Sequence, residues 1–330
     1  MKAREELAVP KAEFRSYYGR PVLKPPVWEW KIPAYLFTGG LAAGSALLAA
    51  GADLTGRPAL RRATRLGSLG GLMASMVLLV ADLGRPARFH HMLRVAKPTS
   101  PMSVGTWILV AFSPGSVLAA ADELIPARWL PRTRWPGRLL TLAARPAGLS
   151  AAALAPGVAS YTAALLSQTA VPAWSEARHE LPFVFTGSAA ASGAALGLLA
   201  APVSEAGPAR RLAAVGAAGE LAASFLIDRK PVLPARAYTT GRAHRMRRWS
   251  EALTLGGAVL AVTAARRSRP AAAVAGLALL GGSALQRFGV FEAGVASTQD
   301  PKYVVVPQRE RLTARARARD GDGDGATGAE

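Results

Sequence analysis

Residues 181–204 read LPFVFTGSAAASGAALGLLAAPVS, a run without a single charged side chain. Seven similar stretches occupy 32–52, 66–81, 102–121, 146–168, 212–227, 252–265 and 270–286, and Glu220 is the only charged residue in all eight. About 20 apolar residues have the length of a bilayer-spanning helix, and Gly and Ala let such helices pack closely. The pattern predicts an all-α membrane protein with eight transmembrane helices. Two of them, 212–227 and 252–265, reach span length only with polar neighbours.

The charge of the chain gives a misleading first impression. Its 330 residues include 40 Lys and Arg against 21 Asp and Glu, a formal net charge of +19. Such an excess is typical of a nucleic-acid-binding protein. Here, however, 51% of the residues are hydrophobic and nearly all charges lie in tails and loops. We therefore expect the basic residues to contact membrane lipids, and we expect no nucleic-acid partner.

Cysteine and histidine limit the cofactors that the chain can hold. It contains no Cys, which excludes a Cys-ligated iron–sulfur cluster and a covalently attached haem. Its four histidines, His90, His91, His179 and His244, all lie outside the predicted spans. A haem held by two histidines between membrane helices is therefore excluded, and no metal site is predicted. Any electron-transfer role needs carriers that other molecules hold.

The predicted spans repeat. Phe37-Thr38-Gly39-Gly40 returns as Phe185-Thr186-Gly187-Ser188, and residues 65–82 align with 211–228 at a constant offset of 146 residues. Both segments end in an Asp followed by basic residues and proline, DLGRP and DRKP. The repeat predicts two tandem four-helix bundles of the same orientation. We place them at 32–168 and 181–291, between an amphipathic extramembrane segment, 1–31, and a C-terminal segment, 292–330, with a disordered tail from Arg309.

Eight spans place both termini and the loops after spans two, four and six on one side, called face A; the opposite side is face B. Asp82 and Asp228 end their spans on face A, and Glu220 lies inside the sixth span. Ionisable groups at membrane depth usually have a function, so we predict a proton path through Glu220 and Asp228. The alternative is that Asp82 and Asp228 only pair with the basic residues that follow them. Trp28, Trp30 and Trp174 are expected to anchor the protein in the membrane interface.

Three strings resemble a known family. They are WEWKIPAYLFTGGLAAGS at 28–45, ADLGRPARFHHMLRVAKPTSPMSVGTW at 81–107 and LPFVFTGSAAASGAAL at 181–196. They are similar to the membrane subunit of polysulfide and nitrite reductase complexes, the NrfD/PsrC-like family, over nearly the whole chain. The resemblance implies a haem-free, multi-pass quinone-binding anchor of the cell's inner membrane. It also implies an iron–sulfur (ferredoxin-like) partner and a molybdopterin catalytic partner, with electrons passing between the partner's clusters and menaquinone or ubiquinone.

The resemblance further implies a quinone site on face A. The matching positions are Trp30, Ile32, Tyr35, Asp82, Arg85 and Ser100, to which we add Tyr161 and Gln168 as polar positions near the face A end of the fourth span. Asp82, with His90 or Tyr35, is expected to exchange protons with the quinone. Tyr35 and Tyr161 can also be read as ordinary interfacial aromatic residues.

Two other functions remain open at this point. The repeat and Glu220 also fit a proton-translocating or transport subunit, which requires a polar path across the membrane. A purely structural anchor for catalytic subunits requires only a docking surface on face A. Neither the partner's substrate nor the direction of electron flow is encoded in the chain, and whether quinone chemistry occurs at this subunit is left open.

Overall fold

The computed structural model describes residues 21–323, which form helices and connecting loops without a strand. The α-helices are α1 (Lys31–Leu54), α2 (Pro58–Ala81), α3 (Pro101–Leu124), α4 (Trp135–Ser167), α5 (Pro172–Glu176), α6 (Leu181–Ala200), α7 (Gly207–Asp228), α8 (Gly241–Val262), α9 (Arg269–Gln299) and α10 (Lys302–Gly323). In this range six helices are long and apolar enough to cross a membrane: α1, α2, α3, α4, α6 and α9. The all-α membrane class is therefore confirmed.

The helices α7 and α8 overlap the predicted spans 212–227 and 252–265, which reach span length only with polar neighbours. Each has 22 residues, but each begins with charged side chains, GPARR in α7 and GRAHRMRR in α8. This leaves a short apolar segment, and neither helix belongs to the six apolar ones. Six of the eight predicted spans thus correspond to helices that are long and apolar enough to cross a membrane. The other two, at α7 and α8, stay a prediction.

The helices pack in two groups that meet at α1 and α6. Helix α1 contacts α2 and α4, and α3 contacts α2 and α4; likewise α6 contacts α7 and α9, and α8 contacts α7 and α9. The α1–α6 crossing depends on Gly44 and Gly193. A Cβ atom on Gly44 would lie 1.9 Å from the carbonyl oxygen of Ala189, and one on Gly193 would lie 2.2 Å from the carbonyl carbon of Gly44. Glycine lets the two backbones touch here.

A buried ion cluster joins the helices at face B. Arg65 of α2 is only 4% exposed, and its guanidinium lies 3.2 Å from Glu123, 3.6 Å from Asp53 and 3.9 Å from Asp122. Arg61 adds a second contact with Glu123 at 2.8 Å. A buried guanidinium surrounded by carboxylates is compensated electrostatically. The cluster ties α1, α2 and α3 together.

Two expectations on face A differ from the structure. Trp174 is fully buried, stacks on Trp28 at 5.9 Å between ring centroids and donates to the carbonyl of Val290 at 2.8 Å. Trp174 is therefore a core residue, and its prediction as an interface anchor was wrong. Helix α10 includes the start of the Arg-rich tail, where disorder was predicted. Residues 1–20 and 324–330 of the predicted terminal segments lie outside the described residues.

Candidate quinone site at face A

The first helix group encloses a cavity of about 260 Å³ at its face A end. The start of α1, the end of α2, the first turns of α3 and the end of α4 supply its walls. Four of the predicted site residues line it: Ile32, Tyr35, Asp82 and Tyr161. The remaining lining is mostly aliphatic. The cavity therefore combines an apolar wall with one carboxyl and two phenol side chains.

Asp82 is the ionisable group of this cavity. It caps the C-terminus of α2 and is half-buried, and it makes no ion pair within 4 Å in the described part of the chain. Burial raises the pKa of Asp82 above its usual range, nearby Lys31 opposes the rise, and Glu29 adds to it. Arg85 and Arg88, its expected partners, are exposed and form no pair with it. A carboxyl whose pKa is raised by burial keeps its proton to a higher pH than a solvent-exposed carboxyl does, which suits a group that exchanges protons with a ligand.

The two tyrosines are buried parts of the cavity wall. Tyr35 is 4% exposed and Tyr161 is 9% exposed, which does not fit the interpretation as ordinary interfacial aromatics. The place of Tyr161 depends on Gly105 of α3, because a Cβ atom on Gly105 would lie 2.4 Å from the Tyr161 ring. The absence of a side chain at position 105 thus allows the phenol to reach the cavity.

The other predicted site residues lie outside this lining. Trp30 is 61% exposed, and Arg85 and His90 are exposed on the loop after α2. Ser100 instead caps α3, accepting from the backbone N–H of Ser103 at 3.5 Å. Gln168 follows the end of α4 and is exposed. The position of a residue within its sequence motif did not show whether its side chain faces the cavity.

Among the lining residues that sequence reasoning missed are Trp28, Met102 and Thr106. Met102 and Thr106 are four residues apart at the start of α3, so they lie on the same face of the helix. That spacing is visible in the sequence and, combined with the Asp82 motif, could have identified them. Trp28 precedes the first helix, and its position depends on stacking against the buried Trp174.

An apolar groove of about 150 Å³ adjoins the cavity between α2 and α3. The two share Leu79, Leu83, Met92, Thr106 and Leu109. The groove itself adds the apolar side chains of Met76, Val80, Phe89, Leu93 and Val110 and one hydroxyl, that of Ser113. Cavity and groove together have the form needed for an amphiphile, with a headgroup end and a tail end.

The second helix group contains a buried series of polar contacts that runs from Asp228 through Arg247 and Ser224 to Gln286. Arg247 of α8 is 2% exposed and holds both carboxylate oxygens of Asp228. Arg247 also donates to the carbonyl of Ser224 at 3.5 Å, and the Ser224 hydroxyl accepts from Gln286 at 3.1 Å. The expected partners of Asp228 were wrong, since Lys230 pairs with Glu180. The actual partner comes from the next helix.

Deeper in the same group lie two buried ionisable residues, Glu220 and Arg287, each 1% exposed. Arg287 was expected outside a span, but α9 continues to Gln299 and carries it inside. Its guanidinium donates to the carbonyl of Phe185 at 2.7 Å and lies 3.8 Å from the centroid of that ring. Glu220 Oε2, Gln286 Oε1 and two Arg287 nitrogens have no hydrogen-bond partner among the described residues. Buried polar atoms of this kind are normally satisfied by internal water.

Residues 21–323 contain no group of three or more His, Cys, Asp or Glu that could hold a metal ion. Fold and cavity define the class: a multi-pass helical membrane protein with an amphiphile-shaped cavity opening at one membrane face.

Comparison with known proteins identifies the family. Residues 22–221 match the family model described as Polysulphide reductase, NrfD, and the chain belongs to this family. The chain is also 31% identical to Protein NrfD of Escherichia coli strain K12 over 194 residues, which cover 53% of this chain and 59% of that protein. The resemblance stated from the sequence is confirmed, as is location in the inner membrane with several spans. Members of the family are quinone-interacting membrane subunits that pair with other oxidoreductase subunits.

Proposed function

We propose that the chain is the quinone-binding membrane subunit of a multi-subunit oxidoreductase. It passes electrons between a partner iron–sulfur subunit, itself bound to a molybdopterin catalytic subunit, and menaquinone or ubiquinone. The observation that carries the proposal is Asp82, an unpaired carboxyl whose pKa burial raises, in an apolar cavity beside Tyr35 and Tyr161. Proton exchange takes place at this headgroup site.

The cavity suits a quinone in three respects. A quinone headgroup is flat and presents two carbonyl acceptors, which Tyr35, Tyr161 and protonated Asp82 are able to serve as donors. The apolar groove between α2 and α3 accommodates the isoprenoid tail. Quinone reduction takes up two electrons and two protons. The chain has no Cys to ligate a cluster, so the electrons come from the partner, while Asp82 holds and moves a proton.

The proposal includes the eight-span topology with bundles at 32–168 and 181–291. Its support is the pairing of the helices, in which α6, α7, α8 and α9 contact one another in the same order as α1, α2, α3 and α4. With α7 and α8 crossing the membrane, the segments 1–31 and 292–330 lie outside it on face A. That face then offers the docking surface for the iron–sulfur partner.

Single introduced cysteines test this topology cleanly, because the natural chain has none. We expect Ser204→Cys and Arg267→Cys to react with a membrane-impermeant maleimide from one side, and Thr239→Cys from the other. All three residues are exposed in loops flanking α7 and α8. The cysteine-free parent is the control. Labelling of all three from the same side would show that α7 and α8 do not cross.

The quinone site is tested by filling the space that Gly105 leaves for Tyr161. In Gly105→Ala the new Cβ would meet the ring at 2.4 Å, which displaces the phenol. We expect quinone retained by the purified protein to fall about tenfold, for an overpacking cost of about 1–3 kcal/mol. Gly70→Ala is the control, since a Cβ there meets nothing within 4 Å. If wild type retains no quinone, the structural-anchor interpretation is correct.

A second candidate function is proton translocation coupled to the quinone chemistry. It is favoured by Glu220 and Arg287, two buried ionisable residues with unpartnered polar atoms in the helix group that also holds the Arg247–Asp228 pair. We expect Glu220→Gln to abolish acidification measured with a pH dye in proteoliposomes while quinone-linked turnover continues. Ser192→Ala, a buried hydroxyl on α6 that bonds only its own helix, is the control. Unchanged acidification in Glu220→Gln would eliminate this candidate.

A further inference from the structure

A second cavity, of about 410 Å³, lies between α7 and α8 near Asp228. Its position repeats that of the quinone cavity. At the offset of 146 residues, Phe225, Asp228, Arg248, Ala252 and Leu255 correspond to Leu79, Asp82, Met102, Thr106 and Leu109, and all ten residues line their respective cavities. In both halves of the chain, a cavity thus lies between the second and the third helix.

The chemistry of the second cavity differs from that of the first. Asp228 is bound by Arg247, which stands where the first half has Pro101. Glu251, at the position equivalent to Gly105, lies 3.4 Å from Arg248. The carboxylates that could exchange protons are therefore held in ion pairs. The opening of this cavity is lined by paired charges, so the cavity is not a site for proton transfer to a quinone.

Basic groups outnumber acidic ones around this cavity when the residues next to its lining are included. Arg248 is 70% exposed, and the Arg229 guanidinium lies 4.2 Å above the ring of Phe225, a lining residue. The lining itself holds one guanidinium group, that of Arg248, and the carboxylates of Asp228 and Glu251. Behind the lining, the buried Arg247 binds Asp228 and lies 3.8 Å from Glu251, so with Arg229 three guanidinium groups surround two carboxylates. The cavity therefore favours an anionic ligand, and guanidinium groups bind phosphate oxygens particularly well.

The depth of the cavity points to the lipid headgroup region. Asp228 ends α7, Arg248 lies near the start of α8, and the adjacent Trp249 is 66% exposed. Exposed Trp residues in membrane proteins concentrate at the interface, and basic pockets between transmembrane helices bind phospholipid headgroups. The apolar side chains of Leu221, Phe225 and Leu255 continue from the opening along the helices.

We propose that this cavity binds one anionic phospholipid. Its phosphodiester contacts Arg248 and Arg229, and an acyl chain lies along Leu221, Phe225 and Leu255. The inference rests on the proposed spanning of α7 and α8. The two cavities then differ in function. The one in the first half holds the electron carrier, and the one in the second half holds a structural lipid that fills the gap between α7 and α8.

Native mass spectrometry of the full chain in detergent tests the proposal by titration with phosphatidylglycerol. We expect one tightly retained lipid in wild type, and affinity about thirtyfold lower in R229A/R248A. Both side chains are exposed, so this variant should fold, and R229K/R248K should keep most of the affinity through its retained charge. The control R62A/R138A removes two exposed arginines from face B and should bind as wild type does.

Equal lipid affinity in R229A/R248A and wild type would overturn the proposal. So would displacement of the lipid by inorganic phosphate, or equal retention of uncharged diacylglycerol. Retained quinone is measured in the same preparations. Because the first cavity is untouched in R229A/R248A, loss of lipid with normal quinone supports the lipid site, whereas absence of quinone in wild type would count against the proposed function alone.

Discussion

Asp82→Asn is expected to lower quinone-linked turnover about a hundredfold, the usual contribution of a positioned acid or base. The substitution keeps the size of the side chain and its hydrogen-bonding capacity but removes the exchangeable proton. Turnover is measured in the assembled complex with a soluble quinone analogue. Asp300→Asn is the control, since Asp300 is a half-exposed carboxylate near face A that pairs with Lys302. Wild-type turnover in an assembled Asp82→Asn complex would remove Asp82 from the mechanism.

The pH dependence of turnover provides a second test of the role of Asp82. Because burial raises the pKa of Asp82, quinol oxidation, which needs the carboxylate as base, should increase as pH rises through that pKa. Quinone reduction, which needs the protonated acid, should decrease over the same interval. Both titrations should disappear in Asp82→Asn. The raised pKa also means that Asp82 favours folding below its unfolded pKa, and that this contribution is lost as pH rises through the folded pKa.

Arg247→Met is expected to lower the free energy of unfolding by about 3 kcal/mol, because it leaves Asp228 without its charge partner. The variant also loses the hydrogen bonds from Arg247 to the carbonyls of Tyr238 and Ser224. Thermal unfolding in detergent measures the change. The neighbouring Arg248→Met is the control, since Arg248 is 70% exposed and surface pairs contribute at most about 1 kcal/mol. Equal unfolding temperatures for the two variants would show that the Arg247–Asp228 pair does not stabilise the second helix group.

The membrane class and most helix positions could be predicted from the sequence, because the exclusion of charge from long segments is a local property. The ends of the helices were harder. Helix α9 runs past the expected end at residue 286 and carries Arg287 into the interior. Its charge is accommodated by the Phe185 carbonyl and by Glu220 on other helices. A tertiary environment of this kind cannot be deduced from one segment.

The same limit applies to ion pairs and to the site. The sequence placed Asp82 and Asp228 correctly at helix ends, but suggested neighbours in the chain as partners. In the structure Arg247 binds Asp228, and Arg65 gathers three carboxylates from α1 and α3. Ile32, Tyr35, Asp82 and Tyr161 were predicted and do meet in one cavity. His90 and Arg85 share the motif of Asp82, yet the loop turns them outward.

The central claim is that a quinone headgroup binds beside Asp82, and photolabelling tests it most directly. The assembled complex is irradiated with a photoreactive quinone analogue, and the labelled peptides are identified by mass spectrometry. We expect labelling within α1, α3 and the end of α4, at residues lining the cavity such as Tyr35, Met102 and Tyr161, and competition by excess unlabelled quinone. Labelling confined to the second helix group, or labelling that unlabelled quinone does not reduce, would contradict the account.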